Sequence, residues 1–576
     1  MDSPDVAALL RGTEVFGQLD GRGLEALQRE LAWFSLPGGQ TLYEAGETSD
    51  ALYVLKTGSL GVFVAARRGT PMRLAGVVAA GRTVGEIGMI TGRRRGASVR
   101  ALRDSELLRL SRTGFDALVR TQPQAMLGAA RIAVGRLLQL GADEEAGAPR
   151  TFAILPFARN PDVFADLRAF AESLRHALLP WGDCTVIDAR LGSGRDTGWF
   201  SERESEVRFV LYLDDGDEHW SRLCRRQADA LLLRVDARRK AEAWPDAAAA
   251  SAERARHRPR HLLLCHPPCE FIYGAAHAWC AALGGDVHHH HLRHRGDVER
   301  LARLLSGHGT GLVLSGGGAR GFAQIGVVQA LREAGILVDT VIGTSIGAII
   351  GAGVAYEWDD GKMREACRRA LVDGRPLADW TLPLVALTRG GRTTMLLREA
   401  FGEIDIEDLP IRFACVSADL TRGTAAVHRS GLLWRWLRAS SAIPGILPPL
   451  FHHRHVYVDG AVINNLPTDV LRGEGPGRII AVDIGADDML TAQVEEAASP
   501  PFPELWRERR SGRRPSAFAT LVRTGMLNAE AGSVRRRQLA DLLLAPDLGR
   551  IGLLDWHEFD RAVAAGYRYA RERLSA

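Results

Sequence analysis

Two glycine-rich turns lie about 25 residues apart in this 576-residue chain and constrain its fold more than any other feature. The first reads S-G-G-G-A-R-G at 315–321 and the second G-T-S-I-G at 343–347. Each follows a short apolar run typical of a buried strand and precedes a stretch with helical spacing. Strands that alternate with helices predict an α/β domain built on a parallel sheet. Both turns are therefore expected at strand ends, where they form one site.

The first turn also contains the spacing G-x-G-x-x-G, which is typical of dinucleotide-binding loops. Such a loop needs an acidic residue about 20 positions later, at the end of the second strand, to hold the ribose hydroxyls. Asp339 has roughly the right distance but precedes that strand. The glycines are therefore not assigned to NAD binding.

The second turn has the pattern of a nucleophile elbow, in which Ser345 lies between Gly343 and Gly347. A serine in this strained strand-to-helix turn exposes its hydroxyl, and side chains at the flanking glycines would clash. Acyl transfer also needs N–H donors for the developing oxyanion. The first turn supplies the candidates for that oxyanion hole, with added positive charge from an arginine: Gly316, Gly317, Gly318 and Arg320.

These two turns and the later "VDGAVINNLP" resemble the three signatures of patatin-like phospholipases, and "WRWLRASSAIPGILPPL" at 434–450 also fits. The resemblance covers 309–576. It implies a Ser–Asp dyad without histidine, with Ser345 as nucleophile and Asp459 as general base, and motif positions at Gly321, Gly460 and Ala461. An aspartate of ordinary pKa is a poor base at neutral pH, so the dyad requires a desolvated site. The nearby His452, His453 and His455 are expected to be structural.

The middle of the chain alternates apolar strand-like runs with helical stretches and predicts a second α/β region. It resembles the segment that precedes the catalytic domain in neuropathy target esterases, which implies lysophospholipids such as lysophosphatidylcholine as substrates. His288 to His291 lie on a predicted strand, where neighbouring side chains face opposite sides and cannot share one ion. Cys265 and Cys269 lack a second pair at zinc-site spacing. No metal site is predicted.

The front of the chain carries short β-like runs broken by glycine, followed by a helical stretch. "VGEIGMITGRRRGASV" at 84–99 resembles the phosphate cassette of cyclic nucleotide-binding domains. The resemblance implies ribose contacts and phosphate contacts from five residues: Gly85, Glu86, Arg95, Ala97 and Ser98. Val84 stands where the family usually has an aromatic residue, and Arg93–Arg94 replace a residue and a proline. Despite these departures, the resemblance implies cyclic AMP or cyclic GMP as a regulatory ligand. No cofactor is expected for catalysis.

The predicted fold is multidomain, with a small polar linker at 141–150. An N-terminal β-roll with a helical C-terminal segment occupies 1–140, and a middle α/β region occupies 150–305. A patatin-like α/β/α domain with a C-terminal helical extension occupies 308–576.

Composition indicates which kinds of partner and which cellular compartment are expected for this chain. The charge of +4 comes from 73 basic and 69 acidic residues, and so small an imbalance indicates no nucleic-acid partner. The N-terminus has no signal-peptide pattern. The apolar window 336–356 contains Asp339 and four glycines and is assigned to the α/β domain rather than to a membrane span. Seven cysteines do not suggest a disulfide framework. A cytoplasmic protein is expected, with transient contact to a membrane surface, and the oligomeric state is left open.

The leading hypothesis is a serine esterase that cleaves acyl esters of phospholipids or lysophospholipids under cyclic-nucleotide control. Two alternatives stay open at this point. One is a cyclic-nucleotide-responsive binding protein with an inactive patatin domain. The other is a transacylase, in which an acceptor alcohol outcompetes water.

Overall fold

The computed structural model describes residues 4–13, 15–65, 72–139, 149–158, 161–244, 259–284, 287–475, 477–485, 501–503, 520, 532–549 and 551–575. Most of the predicted linker, from 141 to 148, lies outside these residues. The chain divides into two compact units. The first comprises 1–235, 243–263 and 283–288, and the second comprises 236–242, 264–282 and 289–576.

An antiparallel β-roll forms the front of the first unit. Its sheets have the strand orders β1-β8-β3-β6 and β2-β7-β4-β5. Alternate residues of the strand Ala51–Thr57 face different cores. Leu52 and Val54 pack toward the flanking helices, whereas Tyr53 and Leu55 pack between the two sheets. The strands are β1 Leu31–Leu36, β2 Thr41–Tyr43, β3 Ala51–Thr57, β4 Ser59–Ala65, β5 Met72–Ala79, β6 Thr83–Val84, β7 Ser98–Ala101 and β8 Ser105–Ser111. The predicted β-roll is confirmed.

Five helices accompany the roll: α1 Pro4–Gly12, α2 Gly21–Glu30, α3 Glu86–Thr91, α4 Arg112–Thr121 and α5 Gln124–Gln139. Two of them begin at side-chain caps, because Asp20 accepts from the N–H of Gly23 and Ser111 accepts from that of Gly114. The short helix α3 follows Gly85, whose φ of 97° a side chain would disfavour.

The middle region is α/β, as predicted. Its first four strands form a parallel sheet of order β10-β11-β9-β12, and every residue of β9 and β11 is buried. Full burial is what a parallel sheet between helical layers requires. The strands are β9 Thr151–Pro156, β10 Cys184–Ile187, β11 Phe209–Leu213, β12 Ala230–Asp236, β13 Arg260–Cys265 and β14 His288–Leu292. The helices are α6 Pro161–Leu178, α7 Ala189–Gly192, α8 Thr197–Glu206, α9 Glu218–Gln227, α10 Ala275–Leu283 and α11 Arg295–Leu305.

The C-terminal sheet has the order β19-β20-β17-β16-β15-β21-β22, with β18 paired to β17. Strands β17, β16, β15, β21 and β22 run parallel, whereas β18 and β20 pair antiparallel with β17. The strands are β15 Gly309–Leu314, β16 Thr340–Thr344, β17 Arg412–Asp419, β18 Thr424–His428, β19 Leu450–His452, β20 His455–Asp459, β21 Gly477–Val482 and β22 Leu542–Leu544.

Both faces of this sheet are covered. In β15, Leu312 and Leu314 belong to the large core on one face, and Val313 belongs to the smaller core on the other. The helices are α12 Phe322–Glu333, α13 Ile346–Ala355, α14 Asp360–Cys367, α15 Gly391–Phe401, α16 Leu433–Ser440, α17 Thr468–Arg472, α18 Ser533–Gln538 and α19 Phe559–Ser575. The predicted α/β/α domain is confirmed.

The apolar window 336–356 forms β16 and α13, both buried inside this domain. No helix in the described part of the chain is both long enough and apolar enough to cross a bilayer.

Candidate active site

Ser345 lies at the turn between β16 and α13 with the backbone angles φ 56° and ψ −125°. The turn is strained for a residue with a side chain, and the flanking glycines make it feasible. A Cβ on Gly343 would lie 2.4 Å from the carbonyl oxygen of Gly347. A Cβ on Gly347 would lie 2.4 Å from the carbonyl oxygen of Leu314. The G-x-S-x-G pattern therefore reflects close backbone packing, and it places the serine at the N-terminus of a helix.

Asp459 meets the serine from the end of β20. The Ser345 hydroxyl donates to Asp459 Oδ2 at 2.7 Å, and the N–H of Ala461 donates to Oδ1 at 2.9 Å. A Cβ on Gly460 would lie 2.2 Å from the carbonyl oxygen of Val416, so this turn also needs a glycine. Ser345 is 6% exposed and Asp459 3% exposed. The structure thus brings together the two residues predicted to form the dyad.

Burial raises the pKa of Asp459 to about 6, although the hydrogen bonds from Ser345 and Ala461 oppose the shift. Burial disfavours the charged form because a carboxylate loses its hydration there. A carboxylate with this pKa is a stronger base than an exposed aspartate, yet it remains ionised at neutral pH. The site can therefore accept a proton from the serine.

The triple-glycine turn presents its N–H groups unequally. The N–H of Gly316 donates to the side chain of Asn465 at 3.0 Å and to its carbonyl oxygen at 3.3 Å. Within the described ranges, the N–H groups of Gly317, Gly318 and Ile346 have no acceptor. Ile346 follows the serine directly, which is a usual position for an oxyanion donor. The available donors are thus Gly317, Gly318 and Ile346, and Gly316 serves to hold the loop.

Arg320, which was predicted to add positive charge at the oxyanion hole, contacts main-chain carbonyl groups. Its buried guanidinium donates to the carbonyl oxygens of Ile484 at 3.1 Å and Ile551 at 3.3 Å. A planar guanidinium can bridge two main-chain segments in this way because it carries five donors in a fixed fork. These contacts give Arg320 a structural role that the sequence did not predict.

Two polar side chains complete the site, and the sequence analysis gave neither a role. Ser440, the last residue of α16, accepts the N–H of Ser345 at 2.9 Å and donates to the carbonyl oxygen of Val416 at 2.6 Å. Asn465 holds the glycine turn as described above. Both residues lie inside the family motifs quoted above, and this membership could have pointed to them. Local spacing could not, because Ser440 is 95 residues from Ser345 in sequence.

The histidines near Asp459 lie elsewhere. His455 Nδ1 contacts Asp419 at 2.8 Å, and the rings of His452 and His453 pack on each other at 4.0 Å. No hydrogen bond joins these three to Ser345 or Asp459 in the described structure. The arrangement agrees with the expected dyad.

In the cassette of the β-roll, Arg95 is buried and turned toward the protein itself. Its Nη atoms donate to the carbonyl oxygens of Gly85 at 3.1 Å and Ala51 at 2.6 Å, and its guanidinium lies 4.1 Å from the ring centre of Tyr43. Glu86 is 1% exposed. Ala97 is half-buried and precedes β7 directly. Ser98 at the start of β7 donates to Glu44 at 2.5 Å. Of the predicted ligand residues, Arg95 and Gly85 are therefore in direct contact.

The histidine run of β14 contributes to a hydrogen-bonded pair. The N–H of Ile272 donates to His266 Nδ1 at 3.0 Å, His266 Nε2 contacts His291 Nδ1 at 2.8 Å, and His291 Nε2 contacts the carbonyl oxygen of Glu407 at 2.8 Å. Burial lowers the pKa of His266 to about 4 and that of His291 to about 3. The described part of the chain contains no group of three or more side chains that could together hold a metal ion.

Three family models match consecutive segments of the chain. They are a cyclic nucleotide-binding domain at 33–122, a neuropathy target esterase family P-loop like domain at 149–300 and a patatin-like phospholipase at 312–472. The P-loop likeness of the middle region was not foreseen from the sequence.

Relatives with similar sequences match nearly the whole chain. An uncharacterised NTE family protein of Mycobacterium tuberculosis is 32% identical over 587 residues, which cover 99% of this chain and 97% of the relative. Patatin-like phospholipase domain-containing protein 7 of Rattus norvegicus is 30% identical and covers 94% of this chain but 45% of the relative. Lysophospholipase nte1 of Aspergillus niger is 27% identical, and the match covers 94% of this chain and 42% of the relative.

The fold and site define a patatin-type hydrolase joined to a cyclic nucleotide-binding domain. The chain belongs to the neuropathy target esterase family. The resemblance drawn from the sequence motifs is confirmed, and so is the predicted class of enzyme, a carboxylic ester hydrolase that acts on lipids.

Proposed function

We propose that this chain hydrolyses the acyl ester of lysophospholipids, with Ser345 as nucleophile and Asp459 as general base. The observation that carries the proposal is the 2.7 Å hydrogen bond from the serine hydroxyl to a buried carboxylate. The Aspergillus niger relative is named a lysophospholipase, and its similarity to this chain supports the substrate class. Three domains with the boundaries 1–140, 150–305 and 308–576 are part of the same proposal.

The proton path follows from this contact. Ser345 Oγ attacks the acyl carbon as its proton passes to Asp459, and the carbonyl oxygen becomes an oxyanion near the N–H groups of Gly317, Gly318 and Ile346. Collapse of the tetrahedral intermediate expels the glycerol oxygen, which takes the proton from Asp459. Water then attacks the acyl-enzyme, gives its proton to Asp459 and releases the fatty acid. Ser345 Oγ recovers that proton.

Labelling with a fluorophosphonate probe tests the nucleophile. The wild type is expected to be labelled, and Ser345→Ala is expected not to be. Ser441→Ala is the control and is expected to retain labelling, because the Ser441 hydroxyl donates to the carbonyl oxygen of Leu437 in α16 rather than to Ser345. Asp459→Asn is expected to lose nearly all turnover, because removing one member of a catalytic unit costs orders of magnitude. Retention of more than about a tenth of the wild-type rate by either dyad variant would contradict the assignment.

The same preparations separate the alternatives. A wild type that neither reacts with the probe nor cleaves lysophosphatidylcholine would favour the binding protein with an inactive patatin domain. Transfer of the acyl group to an added alcohol, in excess over free fatty acid at matched substrate, would favour a transacylase.

Contact with the lipid surface is assigned to the loop between Trp380 and Thr388, which form an isolated antiparallel bridge. Its tip exposes large apolar side chains to water: Trp380 is 66% exposed, Leu382 80%, Leu384 91% and Val385 65%. Exposed apolar patches of this kind mark contact surfaces. Leu384→Asp is expected to weaken flotation with phosphatidylcholine vesicles. Leu337→Asp, at another exposed leucine, serves as control, and equal flotation of the two variants would refute the assignment.

Regulation by a cyclic nucleotide at Glu86 and Arg95 completes the proposal. The phosphate would replace the carbonyl oxygens of Gly85 and Ala51 as acceptors of the Arg95 fork. Because a charge-assisted bidentate contact is lost, Arg95→Ala should weaken binding by about 2 kcal/mol or more. Arg93→Ala removes an exposed arginine of the same segment and is the matched control. Absence of binding of cyclic AMP and cyclic GMP up to millimolar in calorimetry would refute the sensor.

A path for coupling begins at the cassette strand. Two residues after β7, Arg103 pairs with Glu204 at 2.5 Å, and the adjacent Asp104 pairs with Arg226 at 3.0 Å. A shift of β7 on binding would therefore reach helices α8 and α9 of the middle region. Glu204→Gln is expected to preserve nucleotide binding and to reduce its effect on lipid hydrolysis. An unchanged nucleotide effect in Glu204→Gln would exclude this path.

A further inference from the structure

A cavity of about 590 Å³ lies beside helix α16 in the catalytic half of the chain. Its mouth carries the exposed Arg389 and Arg398, and its base carries Arg438. Arg438 is only 4% exposed, and its Nη2 donates to the carbonyl oxygen of Pro448 at 3.0 Å. Its Nε and Nη1 have no hydrogen-bond partner in the described structure. A buried cation is thus left with two nitrogens, which carry three N–H donors, that the protein does not use.

Such an arrangement is costly unless a ligand completes it, because a buried charge without a partner loses its hydration and gains little in return. Burial lowers the pKa of the guanidinium to about 10, and the charge of Asp379 opposes that shift. Asp379 acts on Arg438 only through its charge, and its carboxylate binds the N–H of Arg392 at 3.0 Å. Of the two glutamates that line the cavity, Glu403 is already bound by Arg398 and by the Trp434 ring N–H at 3.0 Å.

The start of helix α15 forms another part of the cavity lining. Gly390 and Gly391 line the cavity just before and at the first turn of this 11-residue helix. A Cβ on Gly390 would lie 2.4 Å from Nη2 of Arg438, so the glycine lets the backbone approach the guanidinium. Because the N–H of Arg392 in this first turn already donates to Asp379 at 3.0 Å, the anion-binding character comes from the arginines, whose forks match a tetrahedral oxyanion.

Residues that line the cavity belong to elements that contact the dyad residues or the strand that carries one of them. Arg438 and Ser440 lie two residues apart on α16, about 3 Å along the helix axis, and Ser440 accepts the N–H of Ser345. Leu450 lines the cavity and pairs with Tyr457 of the strand that ends at Asp459. A ligand held there would contact α16 and β19, which neighbour the dyad through Ser440 and through the strand that carries Asp459.

We propose that this cavity is a subsite for the phosphate of the lipid substrate, with Arg438 at its base and Arg389 at its mouth. The assignment rests on the proposed lysophospholipid hydrolysis, and a free phosphate would satisfy the same chemistry. The subsite gives the enzyme a means to prefer phosphate-bearing esters over neutral ones.

Binding is measured first, without turnover, by calorimetry of glycerophosphocholine and of inorganic phosphate with the full-length Ser345→Ala protein. Adding Arg438→Gln is expected to raise the Kd for glycerophosphocholine at least tenfold. Adding Arg435→Gln removes the same charge from the same helix outside the cavity lining and is expected to change the Kd less than twofold. Because Arg438 also holds Pro448, Arg389→Gln at the exposed mouth provides a second variant, with at least a threefold rise in Kd expected.

Turnover gives an independent readout. The preference is measured as the ratio of kcat/KM for lysophosphatidylcholine to kcat/KM for a monoacylglycerol. This ratio is expected to fall at least tenfold in Arg438→Gln and to keep its wild-type value in Arg435→Gln. Failure of the proposed function would show as no hydrolysis by the wild type, with the binding result intact. Equal Kd values in Arg438→Gln, Arg389→Gln and the parent would overturn the subsite. Binding of inorganic phosphate with no binding of glycerophosphocholine would assign the cavity to a free anion and overturn the headgroup role.

Discussion

Lowering the pH below 6 is expected to slow hydrolysis progressively, because it protonates Asp459, the proposed acceptor of the serine proton. Burial raises the pKa of Asp459 to about 6. The active form is the ionised one, so activity is present above this pH and is lost below it. With one essential base of this pKa, kcat/KM falls about tenfold from pH 7 to pH 5 and about tenfold per unit below that. An aspartate with a pKa of about 3.9 would leave the rate nearly constant over the same range.

The assay is the pH profile of kcat/KM with a monoacylglycerol, which has no group that titrates in this range. His455→Gln is the control, since His455 contacts Asp419 rather than the dyad. This variant is expected to retain the acid limb near pH 6. A rate that stays constant from pH 7 to pH 5 would refute the link between burial and base strength. A limb that moves in His455→Gln would instead assign the titration to a histidine.

Three further outcomes follow from the same contacts. Ser440→Ala is expected to lower kcat about tenfold with a smaller effect on KM, because the N–H of Ser345 loses its acceptor; an unchanged kcat would contradict this role. Gly318→Val would place a Cβ 2.1 Å from the carbonyl oxygen of Leu553 at a φ of 56°, and displacing one oxyanion donor costs roughly 3 kcal/mol in turnover; a raised KM alone, in a variant of normal thermal stability, would argue against the donor. His266 and His291 are expected to stay neutral at pH 5 in an NMR titration, because burial lowers the pKa of each; protonation near pH 6.5 would refute that.

The local half of the catalytic site could be predicted from the sequence. The elbow around Ser345 and the need for Gly343 and Gly347 follow from the strained turn between a strand and a helix, which a few consecutive residues specify. The buried strands of the parallel sheets were also predictable, because full burial leaves a continuous apolar run.

The long-range half could not be derived from spacing. Asp459 is 114 residues from Ser345 in sequence, and only the family resemblance pointed to it. The roles of Arg320 and Gly316 depend on carbonyl and amide groups from distant segments, which no local pattern encodes. The sequence therefore indicated which residues matter in the glycine turn but not which N–H groups stay available.

Buried polar groups in the second compact unit differ in how their hydrogen-bonding capacity is satisfied. The pair His266 and His291 is neutral and bonded at every ring nitrogen, so its presence is explained by packing and hydrogen bonding alone. Asp459 is also buried, and it accepts hydrogen bonds from Ser345 and Ala461, as the proposed role of general base requires. Arg438 is bonded through one nitrogen, and its other two nitrogens have no hydrogen-bond partner beside a cavity. Because an unused buried cation costs stability, Arg438→Met should raise the melting temperature or leave it unchanged while the preference for phosphate-bearing esters falls. A large loss of stability with that preference intact would make Arg438 a structural residue.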